Sequence, residues 1–589
     1  MLVLLALAIP LFFLRSQVIV VWDSYVPDLV NPWRVVSLSA KGYLYLYEAN
    51  VAHKIDVNTG QQVDLISPPS LINLKRFVGT SYRPWAGYPL IFFVNGADRF
   101  RIMLANPDTY SGGYLVDLAS ADGWDDVGYF VYDPYYSFFV SSSAGTGSGY
   151  LNVRVIRFPN ESWIHWRLSV GATIPSDRFE NYTYFGLRTT RSYVVAADML
   201  DWNTPVIAYS RLPGRTASDG VCVIDLTYNR PHCVDVFTST STYRVSDVAV
   251  DRHSDRIFAL FNGATLLGIG LYQWYPESRE LSLLDRLYPF SIPDGSAGIV
   301  QIGKLFLRGR YLVGVYVNNP RSAPQLYYFV WDTFTSSRVD NNYLLPYTEL
   351  NTYDLYSDAI QFYDDGVYVV LNNDTNVHLY KLAALPILSQ FEGNVVIDRV
   401  VYPAAVTEDQ NIVFSVSAFS DRYPLYYIDV DVFRLVHDRV TTGWIIPRTY
   451  HYWYREPVAR LKSTAEVNGQ RNLYSYEANF SIQLPNYVIP LTDENGFIVD
   501  QNAPYIFVVH ACDQAGNCQD FEFNVTVLPA PPSQPAPPPS GVQVAPVVKR
   551  AYTPRYLVVS PVAPQYPWYA LAFALLLASA ILIYLFAHR

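Results

Sequence analysis

From about residue 30 to residue 390 the chain alternates short apolar runs with polar turns, and the cycle restarts roughly every 40 to 60 residues. The first cycle is the sharpest. It has an apolar run from Tyr43 to Glu48, a second ending at Asp56, a turn at Asn58 to Gly60 and a third run. Six looser cycles follow, among them VGYFVYDPYYSFFV, GVCVIDLTYNRPHCVDVF and KLFLRGRYLVGVYVN. Seven cycles of about four short strands predict an all-β fold, with a seven-bladed β-propeller over 17–390, because radial repetition hides sheet edges. Two successive β-sandwiches would alternate similarly, and the regular recurrence favours the propeller. QVIVVWD (17–23) is expected to return as a closing strand for the last blade.

Residues 393–528 have a different rhythm, with longer alternating runs such as NIVFSVSAF, LYYIDVDVF and QDFEFNVTVL. They predict a separate β-sandwich. The aromatic stretch Gly443 to Glu456 is expected to be an insertion between its strands.

Two local motifs resemble known modules. The segment IDVNTGQQVDLI, with its D-x-x-T-G turn at Asp56 to Gly60, resembles the strand–turn–strand of quinoprotein-like propeller blades. The match is good at that one place. Trp-Asp dipeptides at Trp22, Trp124 and Trp331 lack a periodic Gly-His partner, so the resemblance implies an architecture and transfers no catalytic residue. The stretch ACDQAGNCQDFEFNVTV, running from Ala511 through Asp513, Gly516 and Asn517, resembles the final hairpin of immunoglobulin-like and cadherin-like sandwiches. Val499 to Pro504 resembles a cadherin calcium linker only vaguely and lacks the second aspartate, so no metal is assigned there.

The two ends of the chain set the expected topology. Leu2 to Leu14 is an apolar run suited to a signal peptide (1–16), with no clear cleavage motif after it. Residues 529–566 read as a stalk, since eight of the 18 residues from Pro529 to Pro546 are proline, which stiffens a chain toward polyproline II. Trp568 to Phe586 is uncharged over 19 residues, long enough to cross a bilayer, which predicts a transmembrane helix over 567–587 and a two-residue tail, 588–589. The expected location is therefore a single-pass cell-membrane protein with its N-terminal portion outside.

Composition agrees with that topology. A net charge of −10 argues against a nucleic-acid partner. The 49 tyrosines suit strands, with the bulk expected in the core and the remainder available for sugar or protein contacts. The four cysteines fall into two close pairs, Cys222 with Cys233 and Cys512 with Cys518, each set to bridge a hairpin in an oxidising compartment. Sequons at Asn160, Asn181, Asn373, Asn479 and Asn524 are candidate glycosylation sites. Arginine outnumbers lysine 35 to 7, and with the tyrosine and valine load this flavour resembles surface proteins of hyperthermophilic archaea.

Candidate chemistry is sparse. No phosphate-binding loop, nucleophile elbow or zinc-protease motif appears, no cofactor is implied, and catalytic residues stay unknown. Asp122, Asp125 and Asp126 around Trp124 could bind a cation or act as a carboxylate pair, but they read first as a solvated inter-blade turn, and the run Asp251-Arg252-His253-Ser254-Asp255 has the same status. Three functions stay open. The first is a surface protein whose propeller is a binding or adhesion platform for a surface-layer, glycan or protein partner, anchored through a lipid bilayer. The second is a tethered hydrolase or lyase acting at the propeller axis. The third is a solute-binding or sensor ectodomain, which the short tail expected after the span disfavours.

Overall fold

A computed structural model describes residues 51–66, 151–187, 192–211, 219–237, 244–262, 266–291, 303–318, 325–345, 391–443 and 447–530, the strands before and between these segments, and Val542–Val544. The described residues up to Val544 form one compact unit. The signal segment, the aspartates at 122, 125 and 126, most of the stalk and the membrane span lie outside the described residues. Among the described residues, no helix is long and apolar enough to cross a membrane.

The first 382 residues carry seven four-stranded antiparallel sheets, a β-propeller architecture. Six are chain-consecutive meanders, beginning at Arg34–Leu38, Leu74–Thr80, Val127–Tyr132, Ser192–Asp201, Arg244–Asp251 and Gly303–Arg308. The seventh combines Ile360–Tyr363, Gly366–Asn373 and Asn376–Leu382 with Val20–Tyr25. That last strand pairs antiparallel with Asn376–Leu382, the partnership expected from the pattern at 17–23.

The third-to-fourth strand turns follow one design. Asp56 Oδ1 accepts from the backbone of Asn58 and Thr59, and Gly60 closes the turn at φ 71°. Asp332 Oδ1 accepts likewise from Phe334 and Thr335, and Ser336 takes φ 49° at the equivalent place. Asn229 and Arg279 occupy the same position in the fourth and fifth sheets, at φ 52° and 55°. The turn needs a left-handed residue, and only one of these four positions has the glycine that favours it.

Apolar side chains from neighbouring sheets form shared cores. Val206, Val223 and Val236 of the fourth sheet pack with Val245, Ile257 and Tyr272 of the fifth. Carboxylates tie consecutive sheets together. Asp198 Oδ2 accepts from Val250 N at 3.0 Å, one sheet on, and Asp247 Oδ2 accepts from Leu305 N at 2.6 Å in the sheet after that. Burial pushes the Asp198 carboxyl up, and Arg252 and Lys304 pull it back. Asp198→Ala should strand the buried Val250 N–H and cost about 1–3 kcal/mol, measured as a shifted denaturant midpoint at constant slope.

Residues 391–530 form two sheets facing each other. One has the order Ser475–Ile482, Ile412–Ser420, Val395–Pro403, Val542–Val544, and the other Ala405–Thr407, Cys518–Leu528, Pro504–Asp513, Leu425–Thr442, Arg448–Thr464. Phe414, Val416 and Phe480 from the first meet Val430, Phe507 and Phe523 from the second in one core. Val542–Val544, inside the predicted stalk, adds an edge strand beside Val401–Pro403. The aromatic stretch 443–456 is not an insertion between strands. Arg448–Thr464 is itself a strand, paired along its length with Leu425–Thr442, so the stretch forms the far end of a long hairpin arm. Alternating side chains with contacts on both faces stabilise an extended pair there.

Candidate functional site: the propeller–sandwich junction

Within a four-strand meander, the first-to-second and third-to-fourth connections fall at the same end of the sheet. That end of the third to sixth sheets is where the sandwich docks. The single α-helix among the described residues, Glu161–Ser169, lies in the connection between the last two strands of the third sheet. It starts at Asn160, whose Oδ1 accepts from Trp163 N, the ordinary way an asparagine caps a helix. Trp163 Nε1 and Arg167 Nη1 both donate to Asp438 Oδ2 on the hairpin arm, at 2.8 and 3.1 Å. Trp166 stacks on Tyr452 with centroids 5.0 Å apart.

The fifth sheet supplies the centre of the joint. Asp251 folds its turn by accepting from His253 N and Ser254 N, which aims His253 at the sandwich. His253 lies 4.5 Å from Tyr427, ring on ring, and its Nδ1 and Nε2 reach Asp429 Oδ1 and Thr464 Oγ1, each at 2.9 Å. Tyr426 donates its hydroxyl to Asp251, and Lys462 Nζ donates to Asp255 at 2.8 Å. Burial, reinforced by the nearby aspartates, pushes the Tyr426 and Tyr427 phenols up, so both stay neutral. Only 7% of His253 is exposed. The run 251–255 is thus a turn, as expected, but a buried one rather than a solvated one.

The sixth sheet brings backbone against backbone. Arg310 N donates to Gln514 O at 2.9 Å, Arg310 Nη1 to Gln514 Oε1 at 2.7 Å, and Arg308 Nε to Ala515 O at 3.2 Å. Gly309 (φ 56°) and Gly516 (φ 80°) face each other there. A Cβ on Gly309 would lie 2.4 Å from Gln514 O, and one on Gly516 2.8 Å from Gly309 N.

Charges behind this surface are fully engaged. Asp431, 1% exposed, accepts from Arg460 Nε and Nη2 at 2.6 and 3.0 Å and lies 3.4 Å from His510 Nε2. His510 Nδ1 meets Asp520 Oδ1 at 2.7 Å. Burial alone would raise the Asp431 carboxyl, but hydrogen bonds from His510 and Arg460 hold it at about 2. Burial alone would lower the His510 imidazole, but Asp431 and Asp520 raise it to about 9. The Arg460 guanidinium also sits 5.4 Å from the Trp202 ring of the fourth sheet.

The chain Asp429–His253–Thr464 has the order of an acid, a base and a hydroxyl nucleophile. The backbone next to the hydroxyl is already spent, however. Ser463 N donates to Asp429 Oδ1 and Ala465 N to Tyr426 O, so neither amide flanking Thr464 is available to hold an oxyanion. The geometry of this cluster is that of a joint.

The remaining sequence candidates are scattered. Cys222–Cys233 bridges the last two strands of the fourth sheet, and Cys512–Cys518 the hairpin carrying Gly516. Asn181, Asn479 and Asn524 are exposed, Asn160 is buried as a helix cap, and the side chain of Asn373 is outside the described residues. Val499 to Pro504 spans the end of the small hairpin strand Ile498–Asn502 and the start of Pro504–Asp513. Among the described residues no group of three or more His, Cys, Asp or Glu is placed to hold a metal. Sequence reading missed Asp429, Asp431, Arg460 and His510. Their one visible trace is charge at alternate positions of strands whose intervening positions are apolar.

Fold and joint together define a propeller carrying a two-sheet sandwich on one face. No family model matches the chain, and no curated protein matches it. Among solved structures it is similar to an oligogalacturonate lyase from Vibrio parahaemolyticus, at 11% identity and a TM-score of 0.37 over 62% of this chain and 98% of that one. It is also similar to Sqt1 from Saccharomyces cerevisiae, at 8% identity and a TM-score of 0.39 over 68% and 96%.

Proposed function

We propose that this is a membrane-anchored cell-surface protein whose propeller is a binding platform for a surface-layer, glycan or protein partner. In this reading the seven sheets close into a ring, and the sandwich is an immunoglobulin-like spacer followed by a proline-rich stalk and a membrane helix. The observation that carries it is the joint: the sandwich occupies one end of several propeller sheets through saturated, buried contacts. A spacer fixed this way holds the opposite propeller face outward. Pairing of Val20–Tyr25 with Asn376–Leu382 supports the ring. Two disulfides and exposed sequons at Asn181, Asn479 and Asn524 suit an exported location.

The test uses the full-length protein. Expressed in its membrane, it should resist carbonate extraction and lose residues before 529 to external protease. In detergent, it should bind surface-layer protein, glycan arrays or whole cells. Absence of binding to all of these would refute the platform. Release by carbonate would refute the anchor separately.

A further inference from the structure

The hairpin arm carries a second set of rings, on the face away from the propeller helix. His437 and His451 lie diagonally across the two strands, with Trp453 directly opposite His437. His437 Nε2 and His451 Nδ1 are 2.9 Å apart while the ring centroids are 5.2 Å apart, so the imidazoles meet end-on, nitrogen to nitrogen. Trp453 lies 5.2 Å from His437, and its Nε1 donates to Pro490 O at 2.6 Å in the small hairpin Val488–Thr492/Ile498–Asn502. The histidine pair and the seat of the small hairpin are therefore joined through one indole.

An end-on bond between imidazoles needs one N–H and one lone pair. It survives with no added proton or with one, and it is impossible with two. Of the groups around His437, the carboxylates of Asp438 and Asp500 favour a proton on the ring, while burial, His451 and Arg439 oppose it and prevail. On its own strand are Asp438, already held by Trp163 and Arg167, and Arg439, a further cation. The partner strand brings His451, and the small hairpin brings Asp500. Burial and then the neighbouring His451 hold the His437 imidazole below its ordinary range. Arg455, two residues beyond Trp453, is paired twice with Glu522 at 2.8 Å and is a fixed positive charge.

We infer that His437 and His451 form an acid-sensitive clasp that keeps the hairpin arm seated against the small hairpin at neutral pH and releases it when both rings are protonated. The sign follows from the bond. The clasp is closed near pH 7.5 and opens on the acid side of about pH 6.5, the ordinary histidine value.

Hydrogen exchange on the full chain in detergent, corrected for intrinsic rates, tests this between pH 7.5 and 5. In the wild type, the amides of residues 448–455 and 488–492 should exchange roughly fivefold faster, relative to the sandwich core, at pH 5 than at pH 7.5. His437→Phe keeps a ring against Trp453 and should remove that pH dependence. His451→Gln should do the same from the other side if the first variant folds poorly. Equal pH dependence in wild type and variants would overturn the clasp, as would a wild type whose exchange there does not change with pH.

Discussion

Replacing Asp431 by alanine is expected to cost about 3–5 kcal/mol, since it leaves Arg460 and His510 facing each other without the carboxylate that both engage. The loss should appear as a lowered urea midpoint for the sandwich, with Asp431→Asn intermediate because an amide still accepts from one donor. The pH dependence has two edges. The folded state raises His510 from 6.5 to about 9, so its contribution is complete below pH 6.5 and fades as pH rises through about 9. It lowers Asp431 from 3.8 to about 2, so that contribution is complete above pH 3.8 and fades as pH falls through about 2. The alkaline edge is the more accessible, amounting to at most a few kcal/mol for a side chain that is one-quarter exposed. Asp431→Ala should flatten it. A variant that keeps the full alkaline decline would show that Asp520 alone sets the His510 proton.

This cluster also marks where sequence reading stops. Cysteine pairs 11 and 6 residues apart are legible because hairpin geometry is local. The strand rhythm is legible for the same reason, since six of the seven sheets are meanders of chain neighbours. The turn at Asp56 could be read from its glycine, and Asn229 has a weaker preference of the same kind, while Arg279 and Ser336 hide the same φ in residues with no such preference. His253 meets Asp429 across 176 residues, and nothing local in either segment announces it. A histidine in a polar turn reads as exposed until a second domain covers it. Tyrosine-rich alternation at 448–456 belongs to a strand, yet its flanking Gly443 and Pro447 read as loop. The joint is thus the product of long-range packing, which is why local sequence patterns do not announce it.

The closest approach in that joint should be its weakest point for mutation. Gly309 and Gly516 both have left-handed φ, and each would push a Cβ into the other's turn. The φ penalty alone is about 1–2 kcal/mol for alanine. The overlap with Gln514 O at 2.4 Å has no flexible side chain to absorb it, because the obstacle is backbone. Relief requires the two turns to separate, which sacrifices the bonds from Arg310 to Gln514, each worth about 1 kcal/mol. Gly309→Ala should therefore cost about 3 kcal/mol or more. Gly469 supplies the control: it has φ 78° with nothing within 4 Å of a Cβ, so Gly469→Ala should show the φ penalty only. Calorimetry separates the two outcomes in kind as well as in size. Loss of the joint should let the sandwich and the propeller unfold at different temperatures, whereas a local φ penalty shifts a transition without splitting it. If Gly309→Ala and Gly469→Ala behave alike, the two turns tolerate a methyl group and the junction is looser than its hydrogen bonds imply.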